Sequence, residues 1–177
     1  PSIKSLDTKG YVMFLGSFSK ICAPGVRVGW VCASEEIIGQ FDKIKQATDL
    51  HSSAVSQREL TKYMQLFNMN EQIEKMIPVY KGRRDAMIET METEFPDNVS
   101  FTRPQGGFYS WVTVHESIDT VDLFKKALVE KVAFVPGATC FAKEGHDNHM
   151  RLSYSQMTED KIIEGIKRLA KLLRSLD

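Results

Sequence analysis

Two short apolar runs stand close to the N-terminus, "YVMFLG" (residues 11–16) and "VRVGWVCA" (26–33), and no further β-rich stretch follows until Val99. Each run reads as a strand. The first, bounded by Gly10 and Gly16, is almost continuously apolar, the pattern of a strand buried on both faces of a parallel or mixed sheet covered by helices. Two strands alone are marginal in water, so partner strands are expected outside this stretch. The chain also opens on proline rather than methionine, which leads us to expect a segment that starts inside a larger domain, with a complete small enzyme as the alternative.

The stretch between the β-rich ends carries helical periodicity. Ser34 is placed to cap a helix with Glu35 and Glu36 in its first turn, and Ile37, Phe41, Ile44 and Ala47 form its apolar face. "TDLHSSAVSQ" (48–57) is rich in capping and turn residues, so a break is expected there. A long helix then runs from about Asn70 to Phe95, with Pro78 inside it. From Val99 the texture changes. "VSFTRPQGGFYSWVTV" reads as two strands joined by a turn, Asp119 caps a helix, and "VAFVPG" and "HMRLSYS" read as further strands. Thr158 opens a final helix whose Ile162, Ile166, Leu169, Leu173 and Leu176 make one stripe. The last part is therefore an α+β lobe with helices on one side of a small sheet.

Composition excludes several classes of function. With 177 residues, 42% hydrophobic, and 23 basic against 23 acidic side chains, the chain has enough apolar content for a core and no basic excess to attract nucleic acid or a membrane surface. No run approaches the roughly 20 apolar residues that span a bilayer. Three scattered cysteines, Cys22, Cys32 and Cys140, follow no metal or disulfide spacing and suit a reducing cytoplasm. His146 and His149 flank Asp147 without a convincing third ligand, so no metal site is expected.

The richest chemistry lies in "GSFSKICAPGVRVGW" (16–30), where Lys20 follows Ser17 and Ser19, and Arg27 follows a Pro-Gly pair. Small hydroxyls with a guanidinium make a seat for a phosphate. A lysine beside that seat suits capture of a phosphorylated aldehyde cofactor. A rival exists in the same letters: "SFSK" satisfies the Ser-x-x-Lys pattern of serine acyl-enzymes, although the companion Ser-Asp-Asn and Lys-Thr-Gly elements are absent from the sequence. A solvated lysine and a salt-bridged strand arginine are the plainer alternatives.

The segment from Ser17 to Trp30 resembles the cofactor-lysine segment of the fold-type I pyridoxal phosphate enzymes, in particular the class I/II aminotransferases. "KQATDLHSSAVSQ" (45–57) and "RPQGGFYSWV" (103–112) resemble the branch acting on 2-aminoadipate and kynurenine. The resemblance implies residues 1–34 as the end of a large cofactor-binding domain, 35–95 as interdomain helices, and 96–177 as the small α+β domain. It implies pyridoxal 5'-phosphate as cofactor, Lys20 as its Schiff-base lysine, Arg27 as its phosphate arginine with Ser17 and Ser19 helping, Arg151 as the arginine for the substrate α-carboxylate, and Gly107, beside Gly106, as a turn near the substrate. It further implies amino acid and 2-oxo acid substrates, a cytoplasmic homodimer, and neither nucleic acid nor membrane as partner of this segment. The family's ring-stacking aromatic and its carboxylate facing the ring nitrogen have no counterpart here, so the segment is not expected to transaminate alone. A β-lyase and an effector-sensing domain of a bacterial regulator remain alternatives.

Overall fold

The computed structural model describes residues 1–143 and 145–176. The chain divides into two compact units, Pro1–Glu74 and Lys75–Asp177.

The first unit opens with a 3-10 turn at Ile3–Leu6, and Asp7 ties down the segment leading into the first strand. Its carboxylate accepts the backbone N–H groups of Lys9, Tyr11 and Val12 and the ammonium of Lys4 at 2.8 Å. Strands β1 (Phe14–Ser17) and β2 (Gly29–Cys32) then pair antiparallel, Phe14 opposite Cys32 and Ser17 opposite Gly29. An antiparallel pair is compatible with the expected mixed sheet and differs from a purely parallel one. The pair is a two-stranded hairpin, and its Leu15 is 66% exposed. An apolar run has no period from which to read the direction of its partner. β2 is also shorter than expected, because Arg27 leaves the extended region and delays pairing to Gly29.

Helix α1 (Glu35–Thr48) comes next with Ser34 as its N-cap residue, although the Ser34 hydroxyl makes no capping bond. Its expected apolar face is not buried, and Ile44 is largely exposed. The expected break falls at 49–53. Helix α2 (Ala54–Leu66) starts where Ser53 accepts the N–H of Ser56. Helix α3 (Met69–Glu94) includes Pro78, and the boundary between the units falls within it.

In the second unit β3 (Ser100–Phe101), β4 (Tyr109–Thr113), β5 (Val135–Pro136) and β6 (His149–Ser153) form an antiparallel sheet in the order β3-β4-β6-β5. Helix α4 (Thr120–Val129) is capped by Asp119, which accepts the Val121 N–H at 2.7 Å. Helix α5 (Glu159–Arg174) closes the described chain. Strand alternation sorts the side chains. Val112 from β4, and Met150 and Leu152 from β6, are buried in one core with Met87, Met91, Leu123, Ile162, Ile166, Leu169 and Leu173 from the helices. Tyr109, Trp111, Thr113, His149, Arg151 and Ser153 occupy the opposite face of the sheet by the same period of two. The helical stripe on α5 and the one-sided sheet are as expected.

Candidate active site

The first cluster is built by the β1–β2 hairpin. Gly16 lies under the Trp30 indole so closely that a Cβ there would stand 2.1 Å from the ring, and a Cβ on Gly29 would stand 2.9 Å from the Gly16 carbonyl. Two glycines thus let the strands meet with Trp30 folded across them, edge-on to Phe14 at 4.9 Å between centroids. The Phe18 N–H donates to the Val28 carbonyl at 3.1 Å, so the residues from Ser19 to Arg27 form a closed loop.

Inside the loop, the N–H groups of Cys22 and Ala23 both donate to the Phe18 carbonyl, at 2.9 and 3.1 Å. That winds the chain tightly and leaves Lys20 exposed. A 3-10 turn at Pro24–Val26 uses proline at its start, where a missing N–H costs nothing. Arg27 then adopts φ 53° and ψ 38°, the left-handed region that non-glycine residues seldom enter. Its Nη1 donates to the Pro24 carbonyl at 3.3 Å. The Ser17 hydroxyl accepts the Ser19 N–H at 3.1 Å. Among the described residues no hydrogen bond or ion pair engages Lys20 Nζ, the Ser19 hydroxyl or the remaining N–H groups of Arg27. Ser17 thus ends β1, and Ser19, Lys20 and Arg27 lie on the loop that follows it, with Lys20 Nζ, the Ser19 hydroxyl and part of the Arg27 guanidinium unpaired among the described residues.

The second unit holds the other two expected residues. Gly107 lies in the connection between β3 and β4 with φ 82°, a conformation that suits glycine. That connection is anchored on both sides: Arg84 Nη1 donates to the Gln105 carbonyl at 3.5 Å, and the Tyr154 hydroxyl donates to the Gly106 carbonyl at 3.4 Å. Burial raises the Tyr154 hydroxyl above its ordinary pKa, which keeps it a donor, with nearby Arg84 opposing.

Arg151 sits in the middle of β6, opposite Trp111 on one side and Val135 on the other. It forms no salt bridge among the described residues. Its guanidinium carbon instead lies 4.3 Å from the centroid of the Tyr109 ring. Trp111 is occupied elsewhere, packed on Phe141 and His149 at 5.8 and 5.7 Å between centroids. Phe141 in turn stacks on His146 at 4.1 Å. His149 is hydrogen-bonded to Thr113 Oγ1 at 3.0 Å. Burial, with a smaller contribution from the charge of His146, lowers its pKa below 6.5. The two histidines thus belong to an aromatic stack. No group of three or more histidine, cysteine or acidic side chains among the described residues is placed to hold a metal. No helix among them is long and apolar enough to cross a membrane.

Sequence reading missed the role of Asp7 and, although it placed Tyr109 on a strand facing either the pocket or the packing, the contact of Tyr109 with Arg151. Asp7 collects three backbone N–H groups and an ammonium, which hold its carboxyl far below the usual range, the Lys4 hydrogen bond first. Only the pattern Asp-Thr-Lys-Gly, favourable to a turn, hinted at it. Tyr109 as the neighbour of Arg151 required the strand register.

Residues 2–169 match the family of aminotransferases of class I and II. The chain belongs to that family. An aromatic-amino-acid aminotransferase of Thermococcus litoralis is 43% identical over 97% of this chain and 41% of its own length. The crystal structure of a Pyrococcus horikoshii kynurenine aminotransferase superposes with a TM-score of 0.93 at 40% identity, covering 98% of this chain and 43% of that one. An HTH-type transcriptional regulator of Bacillus subtilis is 31% identical over 98% of this chain and 36% of its own length. The chain thus spans less than half the length of these relatives. Within the family it falls in the fold-type I, aminoadipate and kynurenine-like branch.

Proposed function

We propose that the chain serves in an aminotransferase that moves an amino group between an L-amino acid and a 2-oxo acid with pyridoxal 5'-phosphate. The observation that carries this reading is the closed loop of 19–27, which presents an unpaired amine and an almost unpaired guanidinium beside two serine hydroxyls. That donor set fits a phosphorylated aldehyde: a guanidinium fork and hydroxyls for the phosphate, an amine for the carbonyl. When bound, the cofactor supplies an aldehyde and a ring able to take up electron density from the substrate.

In this reading Arg27, Ser17 and Ser19 hold the phosphate. The left-handed backbone of Arg27, an uncommon and costly conformation, is consistent with a residue kept for what its side chain binds. Lys20 would hold the aldehyde end of the cofactor and would serve as the base that takes the proton from the substrate α-carbon. Arg151 takes the substrate α-carboxylate through its in-plane N–H groups, and Gly107 lets backbone run close to the substrate. Residues 1–34 belong to the cofactor domain, 35–95 to linking helices and 96–177 to the small domain. The protein is a cytoplasmic homodimer, with neither nucleic acid nor membrane as partner of this segment. Its relatives include a regulator, but the higher identities are to aminotransferases, which favours the enzyme over the sensing domain.

The test is made on the full-length protein, incubated with an amino acid and 2-oxoglutarate in the presence of pyridoxal 5'-phosphate. The expected products are the matching oxo acid and glutamate, together with a near-visible absorbance that Lys20→Ala removes. Release of ammonia without glutamate would replace transfer by elimination.

A further inference from the structure

We propose that Tyr109 is a positioning residue for Arg151, holding the guanidinium by its ring face so that the N–H groups stay open for a carboxylate. The inference rests on the reading of Arg151 as the carboxylate-binding group and adds the residue that aims it.

The geometry is unusual for a half-buried arginine. An arginine taken partly out of water normally finds an acid or several carbonyls. Arg151 has neither among the described residues, and its charge rests instead on the Tyr109 ring at 4.3 Å. Register explains how the ring comes to lie there. Tyr109 pairs with Ser153 and Trp111 with Arg151, so Tyr109 is a diagonal neighbour on the same face, within reach of an aromatic side chain. Trp111 stands directly opposite but is held by Phe141 and His149, which leaves Tyr109 to meet the cation. Tyr109 is itself steadied by Phe108 at 6.4 Å between centroids, and Phe108 by Tyr80 at 5.0 Å.

The chemical consequence comes from where the donors lie. The five N–H groups of a guanidinium point outward in its plane, whereas a ring attracts the cation through the ring's own face. An acidic partner would occupy those donors and compete with a substrate carboxylate. An aromatic seat attracts the charge without offering an oxygen acceptor that would compete with a substrate carboxylate. It also restricts a side chain that otherwise carries about 2 kcal/mol of rotamer entropy, so less freedom is lost when the carboxylate arrives. The Tyr109 hydroxyl makes no hydrogen bond among the described residues, so the ring carries the role and phenylalanine should replace it.

The experiment compares Tyr109→Leu, Tyr109→Thr, Tyr109→Phe and Arg151→Gln in the full-length protein. Binding of 2-oxoglutarate is read by calorimetry, and KM and kcat by transamination. Tyr109 is 39% exposed, so thermal unfolding should be close to wild type in each tyrosine variant, and two non-aromatic replacements guard against a packing failure in one. Tyr109→Leu and Tyr109→Thr are expected to weaken 2-oxoglutarate binding about 5- to 30-fold, the span of a partly desolvated cation–π contact. KM should rise in proportion while kcat holds, and Tyr109→Phe should behave as wild type. Wild-type binding in both non-aromatic variants, or weakening in Tyr109→Phe equal to theirs, would overturn the proposal. Loss of binding in Arg151→Gln with none in the tyrosine variants would overturn the positioning role alone. Unchanged binding in Arg151→Gln would remove the assignment of Arg151 and the proposal with it.

Discussion

Within this chain, which spans less than half the length of its relatives, the two units bury different amounts of apolar surface. The second encloses a continuous core in which Val112, Ala127, Met150 and Leu169 are fully buried. In the first, Leu60 is the buried hydrophobic residue, while Tyr11 is 84% exposed. The first unit nevertheless carries the tighter local chemistry: a left-handed arginine, a glycine pressed under an indole, and an aspartate gathering three backbone N–H groups. Local hydrogen bonds and steric contacts shape the reactive loop, whereas burial shapes the sheet that carries Arg151. Loops that bind and react generally lie on a structure whose stability comes from elsewhere.

Replacing Lys20 by alanine tests that separation most severely. If Lys20 is the proposed base and covalent anchor, transamination by the full-length protein should fall by at least about 10³-fold. Its unfolding by denaturant should hardly move, since Lys20 is exposed and unpaired among the described residues. A large loss of stability would show that the loop also carries folding energy.

Truncating the core should produce the reverse. Leu169→Ala, at a fully buried position, is expected to cost about 2–5 kcal/mol in urea unfolding. In the 177-residue chain by itself, where Leu15 is 66% exposed, Leu15→Ala should stay within about 0.5 kcal/mol. Equal effects would erase the contrast between the units.

The two constrained glycines sharpen the comparison further. A Cβ on Gly137 would stand 2.5 Å from the His149 Cβ and 2.7 Å from its carbonyl, so Gly137→Ala must shift a strand and should cost about 1–3 kcal/mol. At Gly16 the obstacle is the Trp30 ring, a partly exposed side chain that can swing. Gly16→Ala should therefore change Trp30 fluorescence more than stability.

The smallest effect is expected from pH. The folded-state pKa of His149 lies below its ordinary 6.5, so the unfolded chain takes the proton more readily. The stability contributed by neutral His149 is complete above 6.5 and is lost as pH falls through that value toward the folded pKa. Urea unfolding measured between neutral pH and about pH 5 should show this decline, and His149→Gln should flatten it. A decline unchanged in His149→Gln would assign the effect to another group.

Much of the second unit was legible as pattern. Ile162, Ile166, Leu169 and Leu173 at helical spacing announced the buried stripe of α5, and alternation through "SWVTV" and "HMRLS" announced half-buried strands. In the first unit the pattern located the two strands but not their pairing. A run such as "YVMFLG" is apolar throughout and indicates neither strand direction nor what covers it, so the antiparallel pairing of β1 with β2 came only from the structure. The chemical inventory of the proposed cofactor loop was readable because Ser17, Ser19, Lys20 and Arg27 lie within eleven residues. The seat of Arg151 was not, because Tyr109 is forty-two residues away in sequence and becomes a neighbour only through register.

By itself the sequence determined which elements form and which reactive groups share a loop, since periodicity, capping and short spacing act over a few residues and are written in their order. The tertiary structure alone decided strand direction, the β3-β4-β6-β5 order, the left-handed turn at Arg27 and the pairing of Arg151 with an aromatic face. Each of those depends on contacts between residues distant in the chain or on closure of a loop, and such contacts exist only once the backbone has folded.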